Sequence, residues 1–240
     1  MVRIVKGYEE RKNELLDTAQ QLFFSRGYSQ TSVENIIKEV GVSKGTFYYY
    51  FKSKEDMLDQ LVKRMTSQIL KEVKKITERL DLDALTKLNE AYITIRKVKL
   101  ENIHLIKLYI KVLYKDENIM LRHKIYMSNI ELLVPEFAKI IQQGVEEKVF
   151  NTPFPHKAAR IIFELAQVLS DSTAKQLLGA REGDADTVIK KFEEEIEAYE
   201  DSIERIIGVK KGSVNIVDRN ILKSALSKFK VEEDKTLNLI

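Results

Sequence analysis

Between Val42 and Lys54 the chain gathers hydroxyls, ammonium groups and rings. Ser43, Lys44, Gly45 and Thr46 precede five consecutive aromatic residues, Phe47 to Phe51, and Lys54 follows. No nucleophile stands beside a base here. Hydroxyls offer single hydrogen bonds and lysines neutralise phosphates, so the chemistry on offer is recognition of a polar, anionic surface. At about 100° per residue on a helix, Phe47, Tyr50 and Phe51 share one side. Gly45, Thr46, Tyr48 and Tyr49 share the other. One face suits a core and the opposite face suits a polar partner. An aromatic stripe at helical spacing fits a buried cluster equally well, so the flanking residues decide.

Upstream, Thr31-Ser32-Val33-Glu34 reads as a capping box, with Thr31 as the cap and Glu34 reaching back to it. Val33, Ile36, Ile37 and Val40 follow at helical spacing, and Gly41 stands where a helix needs a left-handed residue to stop. Ser43 is a good N-cap for the aromatic helix. The order is cap, helix, glycine turn, cap, second helix. That is a helix-turn-helix, whose second helix enters the DNA major groove. Ser53-Lys54-Glu55-Asp56 repeats the capping logic and opens a longer helix. A first helix over 9–26 carries Leu15, Leu16, Ala19, Leu22 and Phe23 inward and stops at Gly27.

Residues 9–65 resemble the DNA-binding domain of the tetracycline-repressor (TetR) family of transcriptional regulators. The matching residues are Ala19, Leu22-Phe23, Gly27-Tyr28, Thr31-Ser32-Val33, Ile36, Gly41 to Thr46, Tyr48, Phe51, Lys54 and Leu58. Ile37 departs from the pattern, since the family commonly has a small residue there. The resemblance implies an all-α protein with a three-helix DNA-binding head and a helical body for effector binding and dimerisation. It implies DNA contacts from Thr31, Ser32, Ser43, Lys44, Gly45, Thr46, Tyr48, Tyr49 and Lys54. Thr46 and Tyr48 are expected at base edges, and Thr31, Ser32, Tyr49, Lys44 and Lys54 at phosphates. A lysine at a helix start opposes the helix dipole, and a bound phosphate offsets that. Arg3 and Lys6 are expected in an N-terminal arm on the DNA.

Composition agrees. The 240 residues hold 9 Gly and 3 Pro, with 32% charged residues and a net charge of +3. Residues 1–54 carry nine Lys or Arg against six Asp or Glu, so the head holds the whole excess and steers toward phosphate. With no Cys, disulfides and thiolate metal sites are excluded. No apolar run is long enough to span a bilayer, and the N-terminus lacks a signal-peptide core. The expectation is a cytoplasmic protein without a cofactor. His104, His123 and His156 are widely separated, and Glu164 lies alone on an apolar helix. No catalytic motif is present, so the chain is not expected to be an enzyme.

Beyond the head, helices are expected near 54–80, 83–99, 101–115, 118–147, 155–179 and 184–208, with Pro135 kinking or restarting the fourth of these. The expected domains are a head over 1–53 with a connecting helix over 54–80, a body over 81–208, and an extra helix and tail over 209–240. Ile162, Leu165, Ala166 and Leu169 on one helix, and Phe192, Ile196, Tyr199 and Ile203 on the next, follow a near-heptad rhythm. They are expected at a homodimer interface, because one head reads one half-site. Tyr92, His104, Tyr109, Tyr126 and Asn129 are the candidate effector contacts. A mainly apolar pocket would suit a hydrophobic or cationic aromatic effector. After Gly208, a helix from Ser213 to about 230 with Val217 on its apolar stripe is expected near the dimer interface. The expected function is a ligand-responsive repressor that binds a palindromic operator and is released by a small hydrophobic effector. The alternative is a dimeric DNA-binding factor with no physiological effector.

Overall fold

A computed structural model describes residues 7–100, 110, 113–179 and 185–218. It contains eight α-helices among them and no strand. These are α1 (Tyr8–Arg26), α2 (Val33–Val40), α3 (Lys44–Tyr50), α4 (Lys54–Thr77), α5 (Ala84–Leu100), α6 (Ile119–Glu146), α7 (Pro155–Gly179) and α8 (Ala185–Ile207), with a 3-10 turn at Asp116–Asn118 before α6. The helix expected over 101–115 falls mostly outside the described residues. The helix expected to kink or restart at Pro135 carries that proline inside α6.

The chain divides into two compact units, Met1–Thr66 with Lys111–Ser128, and Ser67–Ile110 with Asn129–Ile240. The division differs from the one expected from sequence. The first half of α4 and the start of α6 belong with the head rather than the body, because hydrogen bonds and buried apolar groups tie them to it.

In the first unit α1 buries Leu15, Leu16, Ala19, Leu22 and Phe23, its expected stripe. Ile36, Phe47, Phe51, Met57, Leu58, Leu61 and Leu121 complete the core. Gly41 adopts φ 72°, a left-handed stop for α2. Asn118 is fully buried, and its Oδ1 accepts the Tyr28 N–H at 2.6 Å. The Ser29 hydroxyl donates to the Glu117 carbonyl at 2.8 Å. Lys124 on α6 pairs with Asp59 at 2.6 Å and Glu55 at 3.3 Å on α4.

In the second unit α5 starts at Asp83, whose carboxylate accepts the Thr86 N–H at 2.9 Å and its hydroxyl at 2.8 Å. Leu88, Ala91, Tyr92, Phe137, Ile140, Ile141, Phe150, Ile162, Ile196, Tyr199 and Ile203 are buried. Gly144 lets Phe150 lie against α6, since a Cβ there would come within 2.1 Å of the Phe150 ring. The segment after Gly208 is not the helix expected from its stripe. Residues 213–218 form an irregular strap with Val214, Ile216 and Val217 buried. Two buried carboxylates on α8 hold it, Glu204 accepting the Val214 N–H at 2.9 Å and Glu200 the Ile216 N–H at 3.0 Å. Asn89 on α5 accepts the Asn215 N–H at 2.8 Å and donates to the Ser213 carbonyl at 3.0 Å. Backbone groups bound to side chains are withheld from a helix ladder. The rest of the expected tail helix, with Ile221, Leu222, Ala225 and Phe229, lies outside the described residues.

Candidate nucleic-acid interface

Helix α3 is amphipathic as its sequence implies. Phe47 and Phe51 are buried, with ring centroids 5.6 Å apart. Ser43 caps the helix, its Oγ accepting the Thr46 N–H at 3.1 Å and meeting the Thr46 hydroxyl at 2.9 Å. The opposite face is open. Tyr48 is 50% exposed and Tyr49 71%, and Lys44, Gly45 and Ser43 are exposed with Thr46 half-buried. A Cβ on Gly45 would meet only the Ser43 Oγ at 3.7 Å, so nothing inside the molecule demands glycine there. Tyr49 and Tyr50 both lean on Tyr8 of α1, at 5.8 and 4.8 Å between centroids. Lys44 reaches Glu34 of α2 at 3.4 Å, and the backbone and this lysine together hold the Glu34 carboxyl below its ordinary value.

Three expected roles change. Thr31 is not the cap of α2. Ser32 is, with its Oγ accepting the Asn35 N–H at 3.1 Å while the Asn35 side chain accepts the Ser32 N–H at 2.9 Å. The box is thus Ser32 with Asn35, not Thr31 with Glu34. Thr31 itself is fully buried, and its hydroxyl donates to the Gly27 carbonyl at 2.8 Å. Such a side chain offers nothing to a phosphate. Lys54 also turns inward. Its Nζ donates to the Thr31 and Tyr28 carbonyls at 2.9 and 3.0 Å and lies 4.2 Å from the Tyr28 ring centre. Burial lowers its pKa. It fastens the α1–α2 turn to α4. The polar residues left facing outward are Ser32, Ser43, Lys44, Thr46, Tyr48 and Tyr49, with Gly45 among them. Arg3 and Lys6 lie outside the described residues.

The candidate effector residues are divided between the two units. Tyr92 is buried in the second unit, edge-on to Phe137 at 5.0 Å. Tyr126 belongs to the first unit, 6.5 Å from His123. Asn129 is half-buried on α6. His104 and Tyr109 lie outside the described residues.

Of the expected interface residues, Ile162, Leu169, Ile196, Tyr199 and Ile203 are buried within a single chain. Their stripes form the seam between α7 and α8, and the Tyr199 hydroxyl donates to the Ile162 carbonyl across it at 2.9 Å. A heptad-like stripe shows that a helix is packed, not which helix covers it. Leu165, Ala166 and Phe192 stay half-exposed. Ile161 and Val168, seven residues apart on the outer side of α7, are 50% and 65% exposed.

Residues 15–61 match the model of the bacterial regulatory proteins, tetR family. Over 156 residues the chain is 24% identical to the uncharacterized HTH-type transcriptional regulator YfiR of Bacillus subtilis, covering 61% of this chain and 71% of that one. It is 34% identical over 70 residues to the HTH-type transcriptional repressor KstR2 of Rhodococcus jostii, 29% of this chain and 34% of that one. Much of the likeness to curated relatives therefore spans under two thirds of their length. Among solved structures, the SmeT–triclosan complex shares the fold, with a TM-score of 0.60 at 16% identity over 85% of this chain and 94% of that one. SmeT is from Stenotrophomonas maltophilia. The described residues are all-helical, the capped helix-turn-helix leaves its polar face open, and these relatives agree with both: residues 15–61 are a DNA-binding head of the bacterial regulatory proteins, tetR family.

Proposed function

We propose that this regulator binds a palindromic operator as a homodimer, through α2 and α3 of each subunit, and represses transcription until a small, mainly apolar effector releases it. The observation that carries the DNA reading is the outer face of α3. Ser43, Lys44, Thr46, Tyr48 and Tyr49 stand around a glycine whose missing side chain no internal contact explains. Thr46 and Tyr48 would reach base edges in the major groove, while Lys44, Tyr49 and Ser32 would bind phosphates and fix the register. The protein would act in the cytoplasm, where its DNA lies.

Effector release needs a body whose state reaches the head. Helices α4 and α6 each begin in the first unit and end in the second, so two continuous helices are among the covalent connections. The start of α6 is fastened to the head through Asn118 and Lys124. An effector that binds one arrangement of these helices better than another shifts the heads by its differential affinity. Heads of a dimer read half-sites roughly 34–36 Å apart, so a small change in spacing loses simultaneous contact. SmeT in complex with triclosan and the repressors named KstR2 support both halves of this reading.

Selection from random duplex DNA by the full-length protein, at stated salt, tests it. Enrichment of a palindrome with two short half-sites is expected. Binding that is weak, sequence-independent and lost with salt would overturn the operator reading.

A further inference from the structure

Within the second unit, an open groove of about 490 Å³ runs between α6 and the start of α7. Pro135 and Ala138 of α6, with Phe154 and Pro155 before and at the start of α7, give it an apolar bed. Phe154 is 67% exposed there. A mainly apolar concavity with a few polar groups is the usual form of a small-molecule site. Eight residues line the groove, against roughly 20–30 a side in a specific protein–protein interface. The fit is to a small molecule rather than to a protein segment.

The remaining lining residues are Lys139, Gln142, His156 and Lys157, and no carboxylate is among them. The carboxylates that touch the lining residues of α6 have partners. Glu136 is buried, pairs with Lys139 at 2.9 Å and accepts the Thr77 hydroxyl at 3.0 Å through its other oxygen. Glu146 accepts from Gln142 at 2.8 Å. Lys157 differs from Lys139. It is exposed and makes no ion pair among the described residues. One turn away on α7 stand Phe154, Arg160 and Ile161, none of them acidic. With Glu136 set against Lys139, the groove keeps the positive charge of Lys157 beside its apolar bed. That charge repels a cation, and a neutral ligand leaves it unanswered.

We propose that this groove binds a small amphipathic anion, with its apolar body on Pro135, Ala138, Phe154 and Pro155 and its charged end at Lys157. Calling that anion the effector rests on the ligand-responsive reading above, and the binding itself does not. The groove suits that role because α6, which supplies four of its lining residues, begins in the first unit. The inference gives the effector a negative charge in place of the cationic aromatic ligand that the sequence left open.

The test uses the full-length protein and two fluorescent probes of one skeleton, 8-anilinonaphthalene-1-sulfonate and its neutral counterpart N-phenyl-1-naphthylamine. The sulfonate should bind more tightly, and its advantage should shrink as salt rises. Lys157→Gln should weaken the sulfonate about three- to tenfold and leave the neutral probe unchanged. Lys157→Glu should abolish the preference. Phe154→Ser should weaken both probes about threefold or more. Lys157 and Phe154 are exposed in the single chain, so these variants should fold, with helical circular dichroism as the check. Equal affinity for the two probes, or a sulfonate preference that survives in both Lys157 variants, overturns the site. A Phe154→Ser protein that loses its dimer while keeping the sulfonate preference assigns the groove to the second subunit and overturns it too. Operator binding by the same preparations, with and without the sulfonate, separates the two readings. Loss of the sulfonate preference in a protein that still reads its operator removes only the site. Sulfonate bound through Lys157 with operator affinity unchanged keeps the site and removes the ligand-responsive reading.

Discussion

Gly45 and Lys54 both belong to the recognisable head motif, yet the structure gives them opposite duties. Around Gly45 there is open space, so Gly45→Ala gains roughly 1 kcal/mol of helix propensity with no internal clash. We expect a higher Tm together with weaker operator binding, measured on one preparation. Equal or tighter DNA binding would remove Gly45 from the interface. Tyr48→Phe, by contrast, should leave stability unchanged and cost about 1–3 kcal/mol of discrimination at one base position. Lys54 points inward to two carbonyls. Replacing it with Met strands both, and urea unfolding should show a loss of about 1.5–3 kcal/mol. The salt dependence of operator binding should keep its slope, whereas loss of a phosphate contact would reduce it by about 1. The sequence could not separate these cases. A lysine at a helix start looks the same whether its ammonium meets a phosphate or a carbonyl of a preceding turn. The same limit displaced the α2 cap by one residue, since Thr31 and Ser32 are both competent caps and only burial chooses between them.

Helices were legible because their caps and periodicity are local. Ser43, Gly41 and Ser53 act as their types imply, with Ser53 accepting the Asp56 N–H at 3.1 Å, and the buried stripe of α1 is the predicted one. What a helix packs against is not local. Ile162 and Leu169 on α7 and Ile196, Tyr199 and Ile203 on α8, which suggested a partner subunit, are buried within the single chain. Val217 suggested another helix turn, but Glu200 and Glu204 claim the backbone there. Asn118 gave no signal at all, being an ordinary polar residue in a turn until Tyr28, ninety positions earlier, is placed on it. Asn118→Ala leaves that amide unsatisfied and should destabilise the head by about 1–3 kcal/mol, visible as faster exchange of the Tyr28 amide. The cap of α5 carries a pH signature. Hydrogen bonds from Thr86 hold the Asp83 carboxyl below its ordinary value of 3.8. A group whose folded pKa is depressed contributes stability that is complete above the unfolded value and is lost as pH falls through the folded one. Asp83→Ala should therefore cost about 1 kcal/mol at neutral pH, with the difference from wild type shrinking below pH 3.8. A constant difference across that range would mean the residue acts by packing alone.

For the whole molecule the decisive quantity is the number of heads per particle. One helix-turn-helix covers one half-site, and a twofold axis converts two such heads into a reader of palindromes. For the proposed dimer, we place that axis on the outer side of α7. Ile161 and Val168 are 50% and 65% exposed there, and Leu165 and Ala166 are half-exposed beside them. Two turns of apolar surface on a long helix, already backed by α8 within the subunit, fit the pairing of helices in a four-helix interface. Because both side chains are exposed in the single chain, acidic substitutions should change its own stability by no more than about 0.5 kcal/mol. Across a twofold axis each substitution instead brings like charges together in an apolar seam. Ile161→Glu with Val168→Glu should thus sediment near the subunit mass of 27.9 kDa, keep its helical circular dichroism, and still bind an isolated half-site weakly. Affinity for the palindrome should fall to that of the half-site, because the second head no longer arrives with the first. A double variant that remains dimeric and holds the palindrome as tightly as wild type would move the twofold axis off α7. It would leave the α3 interface untouched, since each head folds on contacts of its own chain.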